Sequence, residues 1–269
     1  MRFTFLFTTS FMLQLLLSGG VCAQEIASKN QQEKMKIEVW SDVVCPFCYI
    51  GKKKFESAVS EFAERNNIEL IWKSFQLNPS LKTDLNTSVY QHLSDSKGIP
   101  VEQAKAMGGH AAEMANSVGI TMDFDKAIVA NSFNAHRIIH FAKANGKQNE
   151  MKERLLKAYF TEGRNIDDSE TLISLGTEIG LNADEVKAVL ESDKYADAVQ
   201  ADIKESQQLG VTGVPFFVFD RKYAVSGAQD SSAFLETLEK SFSEWRKANP
   251  TAQLQVSEGP VCMPDKVCD

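Results

Sequence analysis

The chain has 269 residues, 43% of them hydrophobic and 24% charged, with 15 Gly, 7 Pro and 5 Cys. This composition excludes disorder, collagen-like repeats and a disulfide-dense miniprotein, and the length suits one large domain or a small domain carrying a second lobe. The formal net charge of −7 argues against nucleic acid as a partner, because a phosphate backbone needs a basic face. Five cysteines is an odd number, so at least one stands apart from any pairing.

Residues 1–23 open with Arg2, continue in an apolar run ending at Leu15-Leu16-Leu17, and close on small residues, with Val21 and Ala23 placed as at a cleavage site. This reads as a secretory signal peptide. Thr8, Thr9, Ser10 and Gln14 break the run too often for a good span, so no stable membrane span is expected after cleavage. Cleavage removes Cys22 and leaves four cysteines in an exported protein, periplasmic or secreted, where disulfides persist. The polar residues 24–34 read as a linker.

Met35 to Trp40 alternates and contains β-branched residues, which predicts a strand. Tyr49 to Glu64 carries Ile50, Phe55, Val59 and Phe62 on one helix face, and Ile68 to Phe75 predicts a second strand. From Asn78 to Leu209 the pattern is helical. Met107, Ala111, Met114 and Val118 share one face, and Gly119, Gly146, Gly163 and Gly180 mark helix ends. Ser169 to Ile179 and Ala183 to Leu190 read as two of these helices, with Asp168 or Ser169 as a cap. Val214 to Phe219 predicts a buried strand, Asp220-Arg221 a turn, Lys222 to Val225 its hairpin partner, and Ser231 to Trp245 a terminal helix. The layout is an α/β core at 35–78 and 210–247, a helical insertion at 79–209, and a polar tail at 248–269.

Cys45-Pro46-Phe47-Cys48 sits where a strand feeds a helix. Pro46 suits the first helical turn, where its missing N–H costs nothing. Cys45 then lies at the helix N-terminus, where free amides and the dipole favour a thiolate. A stabilised thiolate favours the reduced form and makes the disulfide a better oxidant. Cys48, one turn further, is expected to be less exposed and to act as the resolving thiol. A zinc site would need two more close ligands, and the wider spacing of Cys262 and Cys268 does not supply them, so no metal is expected. Gly210 to Pro215 precedes the buried strand. Pro215 suits a strand start, and a cis Val214–Pro215 bond would leave the Val214 backbone free to pair with a bound substrate chain.

The string Val39-Trp40-Ser41-Asp42-Val43-Val44-Cys45-Pro46-Phe47-Cys48-Tyr49-Ile50-Gly51-Lys52 resembles the DsbA family, and within it the FrnE-like thiol oxidoreductases. Phe75-Gln76-Leu77-Asn78-Pro79, Asn131 to Arg137, Gly210 to Phe217 and Tyr223 to Gln229 extend the resemblance, in order, over about residues 35–247. It implies a thioredoxin fold with an inserted α-helical domain. It also implies that Cys45 is the nucleophile, Cys48 the resolving cysteine and Val214-Pro215 a cis-proline loop facing them, with His136 lining the cleft. Two features depart from the pattern. Phe47 stands where these proteins usually carry Trp, and many of them lack a leader.

Four further features have competing readings. Cys262 and Cys268 form either a local disulfide clip or a second redox centre that relays electrons to Cys45 and Cys48. A clip of seven residues is worth about 2.4 kcal/mol at most and closes only on itself. His136 and His140, spaced i, i+4, read as one partly buried helix face rather than a metal site, since Arg137 replaces the Glu of the zinc-protease pattern. Lys52-Lys53-Lys54 reads as a solvated helix face. Asp42 serves either proton transfer to the dithiol or the turn after the strand.

The leading functional reading is an exported oxidase, isomerase or reductase of protein disulfides. It would act on protein or peptide thiols and disulfides with a redox partner and without a cofactor. A glutathione-dependent transferase or isomerase, of the kappa-class or 2-hydroxychromene-2-carboxylate isomerase type, keeps the fold, but its usual Ser at the first active-site position is Cys45 here. A polypeptide-binding chaperone is the third reading.

Overall fold

The structure, a computed structural model, describes residues 33–250. The leader at 1–23, most of the linker and the cysteines Cys262 and Cys268 lie outside the described residues.

Strand β1 (Met35–Ser41) is buried at every position but one. A strand buried on both faces belongs in the middle of a sheet, and β1 takes that place. β2 (Ile68–Ser74) pairs with it in parallel, from Met35 opposite Ile68 to Ser41 opposite Ser74. On the other side β5 (Phe216–Phe219) runs antiparallel, with Val39 opposite Phe217, and β6 (Tyr223–Ser226) completes the order β2-β1-β5-β6. Parallel β1 and β2 need a crossover, supplied by helix α1 (Pro46–Glu61). Antiparallel β5 and β6 need only a tight turn. Asp220 and Arg221 make it with φ of 48° and 55°, the two positive values of a hairpin turn that matches strand twist.

Ile37 and Val39 of β1 join a cluster with Phe55 of α1 and Phe234 of α9 (Ser231–Ala248). The rings of Phe55, Phe217 and Phe234 lie 4.6–5.6 Å apart, centroid to centroid, within the range that gives aromatic pairs stabilisation beyond buried area. Trp40 instead donates its indole N–H to the Asp202 carbonyl, 2.9 Å away, tying β1 to the helical segment between β2 and β5.

That segment holds α2 (Val89–Lys97), α3 (Val101–Asn116), α4 (Phe133–Ala144), α5 (Gln148–Phe160), α6 (Ser169–Glu178), α7 (Ala183–Leu190) and α8 (Ala196–Gln208). Asp168 caps α6 through a 2.8 Å bond from the Thr171 amide. Among the described residues no helix is long and apolar enough to cross a membrane.

The structure departs from the sequence reading in several places. The stretch from 78 to 209 is not all helical. β3 (Asp84–Ser88) and β4 (Ile128–Val129) form a small antiparallel sheet, and Asp84-Leu85-Asn86-Thr87-Ser88 lacks the apolar alternation that would announce it. α1 begins at Pro46 and ends at Glu61 rather than spanning 49–64, and a short 3-10 turn at Arg65–Asn67 follows. On α3 the buried stripe is Ala104, Ala111 and Ala115, whereas Met107 is 43% exposed, because small residues let α3 approach closely and push the long side chain to the edge. Lys52 is not solvated. It is 1% exposed and pairs with Glu56 and with Glu153 of α5, while Lys54 reaches Asp230.

Candidate active site

β1 ends at Ser41 and the chain turns through Asp42, Val43 and Val44 before Cys45. Cys45 is the N-cap of α1, with extended backbone and no side-chain capping bond, and Pro46 occupies the first helical turn. The Cys48 amide donates to the Cys45 carbonyl at 3.1 Å. Both cysteines are free thiols. Cys45 is 4% exposed and Cys48 fully buried, so only Cys45 can be met from outside.

The Val214–Pro215 peptide bond is cis. The Cys45 thiol donates to the Val214 carbonyl, with Sγ 3.5 Å from the oxygen. Pro215 packs on α1 at Gly51, where an added Cβ would lie 2.9 Å from the proline Cγ. Val214 faces the cavity and Pro215 is buried behind it.

Four polar side chains from three elements sit beneath the dithiol. Asp42, 1% exposed, accepts from the Leu77 amide at 2.8 Å and the Val44 amide at 3.5 Å, and its Oδ1 lies 3.4 Å from His136 Nε2. The carboxylate therefore serves the turn, and it also faces a histidine. Burial raises its pKa, but the hydrogen bond and charge of His136, with the Leu77 amide and Ser132, outweigh burial and hold it below the usual range. Burial pushes His136 down, against the pull of Asp42. His136 is 1% exposed and does not line the cleft, as the family resemblance implied. It stands behind Asp42 because α4 carries it into the core. His140, one turn on, bonds Ser74 and Asp202 at 3.1 Å each.

Nothing in the sequence around Lys152 of α5 marks it as a buried residue. It is 1% exposed, donates to the Ser41 carbonyl at 3.3 Å, and lies 5.6 Å from the centre of the Trp72 ring. Burial pushes its pKa down to about 8, while the charges of Cys48, Asp42 and Cys45 hold it up. The Ser41 hydroxyl, fully buried, has no hydrogen-bond partner among the described residues.

The two thiols are close enough to shift one another, in opposite directions. Burial raises Cys48, but the neighbouring Cys45 thiol and the charge of Lys152 hold it below the ordinary thiol range. The bond to Cys48, and then burial, push Cys45 well up. The helix N-terminus alone predicted the charge on Cys45. In the structure the thiol held below its ordinary range is Cys48 instead.

Cys45 opens onto an apolar cavity of about 940 Å³ between the start of α1 and the α2–α3 hairpin. Val44, Phe47, Leu77, Leu93, Met107, Phe160 and Val214 are among its walls. Phe47, Leu77 and Met107 are 40%, 53% and 43% exposed and form an apolar mouth of the kind that marks a binding site.

The comparisons agree with this geometry. A curated relative, the uncharacterized protein YwbO of Bacillus subtilis (strain 168), is 30% identical over 217 residues, covering 78% of this chain and 97% of its own. The crystal structure of a probable DsbA oxidoreductase, SCO1869 of Streptomyces coelicolor, superposes with a TM-score of 0.74 at 35% identity, over 87% of this chain and 98% of that one. The cytosolic disulfide reductase DsbM of Pseudomonas aeruginosa, at 16% identity and a TM-score of 0.55 over 79% and 98% of the two chains, shares the fold. The model of the DSBA-like thioredoxin domain matches residues 36–239, and this chain belongs to that family of thiol–disulfide oxidoreductases.

Proposed function

We propose that the protein is an exported thiol–disulfide oxidoreductase of protein or peptide disulfides. One observation carries this reading. Cys45 is the only sulfur of the pair that reaches the apolar cavity, and Cys48 lies directly behind it. In the reductive direction the Cys45 thiol loses its proton to solvent and the thiolate attacks a substrate disulfide. A mixed disulfide forms, and one substrate sulfur leaves and takes up a proton. Cys48 then attacks the Cys45 sulfur, the second substrate thiol departs with the Cys48 proton, and a Cys45–Cys48 disulfide remains. The oxidative direction is the reverse, and a redox partner resets the pair. The apolar mouth suits flexible or unfolded chains, whose hydrophobic side chains are still exposed. Export rests on the leader-like run at residues 1–23.

The test is insulin-disulfide reduction together with oxidation of a reduced peptide. Cys45→Ser abolishes both, and Cys48→Ser accumulates mixed disulfides. Full activity in Cys45→Ser overturns the assignment. Cell fractionation and the mass of the mature N-terminus test export. A cytoplasmic protein with residues 1–23 intact refutes it.

A further inference from the structure

Tyr159 of α5 stands on the wall of the cavity that Cys45 opens onto. It is 6% exposed, and its ring meets Phe160 edge-on, with centroids 4.8 Å apart. Among the described residues its hydroxyl has no hydrogen-bond partner, whereas Tyr49 of α1 donates to Glu153 at 2.9 Å. A buried phenol usually finds a partner. The Ser41 hydroxyl is the one fully buried side-chain N or O atom among the described residues left without a partner. The Tyr159 oxygen is therefore not sealed in protein. It touches open space, and the open space that Tyr159 lines is the cavity. The other buried oxygen-bearing side chains on the cavity wall are Asp42 and Ser132. Asp42 is engaged by two amides and His136, and Ser132 serves Asp42. Burial and the charge of Asp42 push the Tyr159 phenol well above its ordinary range, so it stays a neutral donor.

We propose that Tyr159 is a specificity-determining residue, whose hydroxyl donates to a backbone carbonyl of an apolar peptide segment bound in the cavity. The inference rests on the redox reading above and says what the cavity recognises. A chain entering an apolar cavity gives up the water on its carbonyls, and a carbonyl left unpaired there is costly. Val44, Phe47, Leu77, Leu93, Met107 and Phe160 form walls for apolar side chains, but their side chains offer such a carbonyl no donor. The Tyr159 hydroxyl supplies one. This is the usual make-up of a ligand pocket, mostly apolar with a few placed polar groups that fix orientation. The helix and the Phe160 ring hold the phenol in place before a substrate arrives, so little freedom is lost on binding.

The test is the binding of a fluorescein-labelled apolar decapeptide with a central S-methylated cysteine to the reduced full-length protein, read by fluorescence anisotropy in wild type and Tyr159→Phe. The methyl group blocks disulfide exchange, so the assay reads recognition alone. The expected result is a Kd raised about five-fold or more in Tyr159→Phe, from the loss of one hydrogen bond to a buried carbonyl. The Tm of the variant should equal or exceed that of wild type, because the hydroxyl holds nothing in the free protein. In protein isotope-labelled at tyrosine Cζ, the Tyr159 resonance, assigned from the same variant, should move when the peptide is added. A Kd within two-fold of wild type, or a wild type that does not bind the peptide, overturns the proposal. So does an unmoved Tyr159 resonance, or a Tm lowered in the variant, which would give the hydroxyl a structural partner instead. A wild type that binds the peptide as expected but reduces no disulfide would remove the proposed function and leave this result standing.

Discussion

Alanine at Gly51 is a sharp probe of how the fold holds the Val214-Pro215 loop against the dithiol. Gly51 lies on α1, buried, and a Cβ there would sit 2.9 Å from Pro215 Cγ and 3.5 Å from both Cα and Cβ of Ala228. Two effects compete. Helix propensity favours Ala over Gly by about 0.8–1.0 kcal/mol. Forcing a methyl group into a packed contact costs about 1–3 kcal/mol. The proline ring is rigid, so the contact is relieved only by moving the loop, and the second effect wins by about 1 kcal/mol. That corresponds to a fall of roughly 2–4 °C in Tm for a domain of this size. Gly109 supplies the control. It is exposed on α3 and has nothing within 4 Å of its notional Cβ, so Gly109→Ala keeps the propensity gain and raises Tm by a similar amount. Because the Val214 carbonyl is 3.5 Å from Cys45 Sγ, Gly51→Ala should also slow insulin reduction, while Gly109→Ala should not. Thermal unfolding and initial rates of both variants decide the matter. If Gly51→Ala gains stability like Gly109→Ala and keeps its rate, the loop is not held by this contact and the reasoning fails.

Lys152→Met should raise stability at neutral pH. A lysine pushed from 10.5 to about 8 penalises the folded state by up to about 3 kcal/mol where it is charged in both states. The unfolded chain binds more protons between those two values, so the penalty lifts as pH rises from 8 towards 10.5. The stability difference between variant and wild type should therefore narrow over that window in a denaturant series, and a difference independent of pH refutes it. Asp42→Ala leaves the Leu77 amide without its acceptor and should cost about 2 kcal/mol. Because the native carboxyl is held below 3.8, the contribution of Asp42 is present above 3.8 and lost as pH falls through the native value, so wild type and variant should converge in acid. Ser at both Cys262 and Cys268 should leave insulin-reduction rates within two-fold, as a local clip requires. A larger fall would make the pair a relay.

The parts of the site written in short stretches of chain were legible in the sequence. Pro46 after Cys45 announces a helix start, and the helix starts there. Ile50, Phe55 and Phe62 at helical spacing are buried, and Val214-Pro215 before four apolar residues announces the loop and β5. Each of these signals lives within one or two turns of backbone. The small β3–β4 sheet lacked such a signal, since neither strand has a hydrophobic period and their pairing depends on the segments that bring them together.

Lys152 marks the limit of that kind of reading. In Met151-Lys152-Glu153 it looks like any charged helix residue, and its immediate neighbour Glu153 reaches the buried Lys52 and the partly exposed Lys53. Its burial comes from the meeting of α5 with β2 and with the end of β1, elements about a hundred positions apart. Periodicity can say which residues of α5 face inward, but not that the inward face meets a thiol. The same holds for the charge on the dithiol. A helix N-terminus is a local feature and predicts a thiolate on Cys45. The Lys152 ammonium beside the end of β1 arrives from the helical segment inserted between β2 and β5. That segment therefore does two things at the dithiol. Its α2–α3 hairpin walls the cavity in front of Cys45, and its α5 places a buried ammonium on the Ser41 carbonyl at the end of β1. Exchanging the segment for a different helical insertion would be expected to change the potential of the pair as well as the substrates it admits.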